Sequence, residues 1–242
     1  MKKSILQVCG LFVVICGFAA PSCVAAQNDS IIARADRYVA ALEEYEKGTE
    51  RKSVEFVFRK GQSVAKKLDE LENLNEADYA SVTKKMKGFI VNRDETIYIE
   101  PEVDFFKKLS KKFGTKSDAA FFTFWSALKP DSVWSAYIEQ QTDYSGCALY
   151  GKGILTELHG KAEQFRRQYP RAYTTELKEE IDEMKRELTS GTCACGNRNS
   201  VTEEFRLFIK TFPADEITPT IKRRLKGVQN KKTAIRFNCI SG

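Results

Sequence analysis

The sequence predicts an all-α fold, a single multi-helix domain of about eight helices over residues 27–242 with a disulfide-tied C-terminal part. Three observations predict it. Apolar residues recur at helical spacing along most of the chain. Five prolines past residue 26 (Pro101, Pro130, Pro170, Pro213 and Pro219) fall where those stripes begin or end. A chain with 42% apolar and 11% aromatic residues has enough to bury that it is not expected to be disordered. No fixed-period repeat of the solenoid kind is present.

Ser30 opens the first stripe, Ile31, Ala35, Tyr38, Val39, Leu42 and Tyr45, and Gly48 closes it. A second stripe takes Val54, Val57, Phe58, Val64, Leu68 and Leu71. Asn75 caps a third helix through Tyr79, Val82, Met86, Phe89 and Ile90. Residues 95–100 then alternate and are rich in β-branched side chains, which predicts a short extended segment and a place for a sub-division of the domain. Pro101 fits the first turn of the next helix (Val103, Phe106, Leu109, Phe113), ended by Gly114. Ser117-Asp118 opens a helix carrying Phe121, Phe122, Phe124, Trp125 and Leu128. Asp131 or Ser132 caps another with Val133, Trp134, Tyr137 and Ile138.

Gly146, Gly151 and Gly153 mark residues 142–153 as a loop or a broken helix. Helices follow at 154–169, stopped by Pro170, and from Thr174 or Thr175 to about Gly191. Ser200-x-x-Glu203 reads as a capping box before Phe205, Phe208, Ile209 and Phe212. Thr218-Pro219 begins a last short helix, and an irregular tail is tied down by Cys239.

The first 26 residues read as an export leader. Lys2 and Lys3 precede a mostly apolar run over 5–20, then Pro21, then Val24-Ala25-Ala26. Cleavage after Ala26 places the chain in the periplasm or outside the cell, with no stable membrane insertion afterwards. Retention of the run as an anchor and lipid attachment at Cys23 are the two rival readings. Ala20 and Pro21 fit a lipid-attachment site poorly. With two of its 39 Lys and Arg in the leader and 33 Asp and Glu, the mature chain carries +4, too mild an excess to indicate nucleic acid.

Four cysteines remain after the leader: Cys147, Cys193, Cys195 and Cys239. In an oxidising compartment an even number reads as two disulfides. A Cys193–Cys195 bond would close a strained ring around one residue. Cys147 and Cys239 therefore each pair with one member of the Cys-x-Cys, in either arrangement. Each bond closes a loop of about 45 residues, contributing roughly 4 kcal/mol in the chain-entropy model.

Candidate chemistry is sparse. Zinc at Cys193-x-Cys195 would need further ligands, and His159 is the sole histidine. Cys147 with His159, oriented by Asp143, has the residue types of a thiol nucleophile and base, at the cost of an unpaired cysteine. Glu43/Glu44, Glu70/Glu72 and Glu179/Glu180 are carboxylate pairs among Lys and Arg, as expected of solvated helix faces. The aromatics Phe121, Phe122, Phe124, Trp125, Trp134 and Tyr137 are expected to be core rather than a ligand pocket. No cofactor motif is present. The strongest charge asymmetry is Lys222, Arg223, Arg224, Lys226, Lys231, Lys232 and Arg236, seven cations in 15 residues without an acid.

In size, export signal and disulfides the chain resembles small exported proteins that bind or neutralise another protein, such as periplasmic immunity proteins and enzyme inhibitors. The expected function is accordingly that of a cell-envelope protein binding another, acidic protein through the basic segment. The alternative is an exported hydrolase of cell-wall or peptide substrates using a carboxylate pair.

Overall fold

A computed structural model describes residues 30–48, 53–68, 71, 74–93, 97–130, 134–142 and 145–239. The leader with Cys23 and the cleavage site after Ala26 lies outside these residues, as do Glu70, Glu72, Asp131, Ser132 and Asp143. Among the described residues the fold is mostly helical but not all-α: nine helices are joined by two small sheets. None of the helices is long and apolar enough to cross a membrane.

Helix α1 (Ile31–Lys47) starts where Ser30 Oγ accepts the Ala33 N–H at 3.1 Å, and ends at Gly48 with φ +66°. Helix α2 (Val54–Leu68) follows. Helix α3 (Glu76–Lys85) is capped by Asn75, whose side chain accepts the Asp78 N–H at 2.9 Å.

Here the first departure from expectation occurs. The third helix does not continue through Phe89 and Ile90; Gly88, at φ +85°, turns the chain into a strand. Strands β1 (Phe89–Arg93) and β2 (Ile97–Pro101) form an antiparallel hairpin pairing Phe89 with Pro101 and Val91 with Ile99. The expected extended segment is thus half of a hairpin. Two glycines make room for it. A Cβ at Gly61 of α2 would lie 2.1 Å from the Phe89 ring, and one at Gly88 would lie 2.2 Å from the Phe105 ring.

Pro101 closes β2 rather than opening a helix, and α4 (Val103–Phe113) starts two residues later. Helix α5 (Lys116–Leu128) opens one step earlier than expected, at a capping box between Thr115 and Asp118. The helix expected around Trp134–Ile138 is absent; the chain turns and enters β3 (Ile138–Thr142), paired antiparallel with β4 (Ser145–Ala148).

Helices α6 (Ile154–Gln168) and α7 (Thr174–Ser190) are followed by the two-residue strand β5 (Cys193–Ala194). Helix α8 (Arg198–Thr211) is capped by Asn197, which accepts from Asn199 N–H at 2.8 Å, so the Ser200/Glu203 capping box does not form. Helix α9 (Thr218–Gln229) starts at Thr218-Pro219 as expected. The tail carries a further strand, β6 (Arg236–Phe237), and the order β3-β4-β5-β6 makes a four-stranded sheet.

Both disulfides bind neighbouring strands of that sheet. Cys147 on β4 pairs with Cys195, and Cys193 on β5 pairs with Cys239, with Cα–Cα distances of 5.1 and 5.8 Å. The Cys-x-Cys hub is therefore confirmed and its connectivity resolved. Bonds of this kind fit an oxidising, non-cytoplasmic compartment.

The aromatics expected at the centre are there. Phe121, Phe122, Phe124, Trp125 and Tyr137 are buried, while Trp134 is only half-buried. Phe58 of α2 is their hub, packed against Phe89, Phe106, Phe121, Phe122, Trp125 and Tyr173 with ring centroids 5.2–6.4 Å apart. Tyr173, in the left-handed region at φ 50°, stacks on Phe121 at 3.6 Å, and its hydroxyl donates to the buried Asp118 at 2.7 Å.

Candidate functional site

The basic segment folds as the second half of α9 and the chain that returns to β6. Its seven cations do not act alike. Arg224 is turned inward: it donates to the carbonyls of Glu187 (3.1 Å), Leu188 (2.7 Å) and Gly191, capping the C-terminus of α7. Its guanidinium also lies 5.2 Å from the centre of the Phe205 ring. The expected role of Arg224 in an exposed patch is thereby corrected. The carbonyls left over at the end of a helix need donors, and α9 passes close enough to supply them.

Lys222, Arg223, Lys226, Lys231, Lys232 and Arg236 are exposed. Arg223 donates to Thr220 Oγ1 at 3.0 Å, and none of the six forms an ion pair with the described residues. Some cations elsewhere are tied to acids, among them Lys66 to Glu179 at 2.5 Å, Lys85 to Asp36 at 2.7 Å and Lys161 to Glu157 at 2.5 Å. The backbone beneath the six is held firmly. Lys232 N–H donates to Gly227 O and Arg236 N–H to Thr192 O, both at 2.8 Å, and Cys239 is bonded to Cys193.

The thiol-nucleophile constellation is not assembled. Cys147 is in a disulfide, and His159, fully buried on α6, shares a 3.0 Å hydrogen bond with Asp215 and packs against Phe208 and Phe212. Burial acts to raise the Asp215 carboxyl, but hydrogen bonds from the Ile217 N–H and from His159 bring it below the ordinary aspartate range. No cluster of His, Cys, Asp or Glu among the described residues is arranged to hold a metal ion.

Of the carboxylate pairs, Glu43 lies on an exposed face and bridges to Lys47 at 3.6 Å. Glu179 and Glu180 instead border a cavity of about 220 Å³ between α2, β2, α5 and α7. Glu176 joins them there: the spacing i, i+3, i+4 sets the three on one face of α7. Glu176 is engaged by Arg59 through two hydrogen bonds of 2.8 and 3.1 Å, and Glu179 by Lys66. Glu180 has neither partner; burial pushes its carboxyl above the ordinary glutamate range, with Glu183 and Glu179 adding to the rise and Lys129 opposing it. Trp125 forms part of the same wall, and its buried indole N–H has no acceptor.

Sequence reasoning missed this cavity. The i, i+3, i+4 glutamates were its only local signal, and charged helices carry such spacings commonly. Comparison with family models, with curated proteins and with solved structures finds no match for this chain.

Proposed function

We propose that this chain is an exported, periplasmic or secreted protein of the cell envelope that binds another protein with an acidic surface, in the manner of an inhibitor or immunity protein. One observation carries the reading: six exposed cations, without an ion pair among the described residues, stand on a backbone clasped by a disulfide. Unpaired charge of one sign raises the encounter rate with an oppositely charged partner. A stiff scaffold loses little conformational entropy on docking. The two disulfides support the compartment.

The test is capture of partners from the producing cells and their neighbours, followed by binding measurements on the partner found. Lys222→Glu, Arg223→Glu, Lys226→Glu and Lys231→Glu together are expected to abolish binding, and added salt to weaken it for the unaltered protein. Arg224 is left in place because it caps α7. A partner that binds the quadruple variant undiminished overturns the site.

Hydrolysis by a carboxylate pair is the second reading. Its support is Glu180, a carboxyl raised by burial at the edge of a cavity beside Glu179. Release of products from cell-wall material by the unaltered protein, lost in Glu180→Gln, would favour it over the binding role.

A further inference from the structure

We propose that the outer face of α4 and the turn that follows it, with Lys108, Lys111, Lys112, Phe113 and Lys116, dock this protein on an anionic lipid surface. Five lysines fall within residues 107–116, and residues 105–117 hold no acid. Lys107 is half-buried and donates to Ser126 Oγ at 2.9 Å. Lys108, Lys111, Lys112 and Lys116 are exposed, and none forms an ion pair with the described residues. Packing fixes the direction they face. Phe106 and Leu109 are buried on the inner side of α4, Phe106 against Phe58 and Phe122. Lys108, Lys111 and Lys112, at i, i+3 and i+4, therefore share the outer side. Asp104 lies one turn before Lys108, so the positive charge is concentrated toward the end of the helix.

The helix dipole accounts for only part of this pattern. A cation in the last turn faces the negative end of a helix, which suits Lys111 and Lys112. Lys116 is the first residue of α5, where the dipole disfavours a cation. Phe113 adds an apolar element between them. Its ring packs edge-on against Tyr45 at 5.7 Å and is still 43% exposed, one of three large apolar side chains so exposed among the described residues. Lys112 Nζ lies 4.6 Å from the centre of the same ring. Lysines around a projecting aromatic ring suit a membrane interface: the charges draw the protein to anionic headgroups and the ring enters the layer beneath them. That all five cations are lysines favours lipid over an acidic protein. An ammonium on a flexible stem follows mobile headgroups, whereas the arginine fork suits carboxylates held in fixed geometry.

None of residues 222–236 belongs to this face, so the proposal stands or falls apart from the protein-binding role. The test uses the protein as cells export it. Its sedimentation with vesicles of phosphatidylglycerol and phosphatidylcholine is compared with that on phosphatidylcholine alone. Binding to the anionic vesicles only, weakened by added salt, is the expected result. Lys108→Gln, Lys111→Gln and Lys112→Gln together should weaken it about a hundredfold, at about fivefold for each charge. All three positions are exposed, so this variant should keep the fold, which far-UV circular dichroism checks. Phe113→Ser should weaken binding about fivefold through the lost apolar contact. Lys222→Gln, Arg223→Gln and Lys226→Gln together serve as the control and should leave binding nearly unchanged. No binding to the anionic vesicles, or equal binding to the neutral ones, overturns the proposal. So does undiminished binding by the folded α4 variant, or a larger loss in the control. Unchanged binding in a folded Phe113→Ser overturns insertion of the ring. Polyglutamate, titrated as an acidic-protein probe, decides the remaining case: its binding, lost in the α4 variant while no vesicle is bound, would assign this face to an acidic protein and overturn the lipid proposal.

Discussion

The first hundred described residues and the last hundred are held together differently. From α1 to α5 the chain has no cross-link, and its centre is a group of interlocked rings around Phe58. From β3 onward the organising sheet includes two strands of only two residues each, and both disulfides lie across it. The difference follows from what each part can bury. A Phe or Trp in a close-packed cluster removes a large apolar area from water, so packing suffices. Two-residue strands contribute few hydrogen bonds and little area, and their neighbours lie 46 and 48 residues apart. Closing those loops covalently removes entropy from the unfolded chain that the strands alone could not offset.

The comparison breaks if reducing both disulfides affects the two parts alike. Each bond is expected to contribute roughly 4 kcal/mol. Hydrogen exchange after reduction should show protection lost first in β4, β5 and β6 and kept longest in α2 and α5. Equal loss in both would mean that the ring cluster depends on the clasp.

Phe58→Ala is the counterpart in the uncross-linked part. It empties the hub of the cluster and is expected to cost about 3–5 kcal/mol in urea unfolding with the disulfides intact. A cost below about 1 kcal/mol would show that the rings repack around the gap.

Glu204→Ala probes how the C-terminal part joins its helices. This buried carboxylate on α8 accepts from the N–H groups of Gly151 (3.1 Å), Gly153 (2.9 Å) and Thr156 (3.1 Å) and from the Thr156 hydroxyl (2.7 Å). It caps α6 from another helix, because Gly153 at the cap position has no side chain to do so. Its removal leaves several buried donors unpaired and should cost about 3 kcal/mol, with exchange accelerated in the first turn of α6.

The pH response should be smaller and of two signs. The folded protein holds the Glu180 proton more tightly than the unfolded chain does. Glu180 therefore lowers stability as pH rises from the ordinary glutamate range through its raised value, and Glu180→Gln should flatten that slope. Asp215 works the other way: its contribution is present above the ordinary aspartate range and is lost as pH falls through its depressed value. Urea titrations at several pH values check both. The least effect on stability is expected from Lys222→Glu with Lys226→Glu, within about 0.5 kcal/mol, because both side chains are exposed and unpaired.

Short-range chemistry made much of the fold legible from sequence alone. Ser30, Asn75 and Gly48 cap the helices they were expected to cap, because a cap is a bond between residues two or three apart. Pro130, Pro170 and Pro213 lie just beyond helix ends, since proline offers no N–H to carry a helix on. The cysteine hub was legible from spacing and ring strain. The strands were not. Phe89 and Ile90 continue a helical stripe by spacing, and only Gly88, the room left at Gly61 and the partner strand 97–101 turn them into a hairpin. The choice between two disulfide arrangements was likewise made by which strands lie side by side.

The candidate sites divide in the same way. A run of seven cations is visible in any sequence, whereas the capping of α7 by Arg224 depends on α9 lying across its end. The cavity was decided wholly by tertiary structure. Trp125, Glu180 and Gln62 come from three helices far apart in the chain, and a donor is unpartnered only relative to everything folded around it. Composition and local pattern set which groups a chain must bury; only packing determines which of them finds a partner.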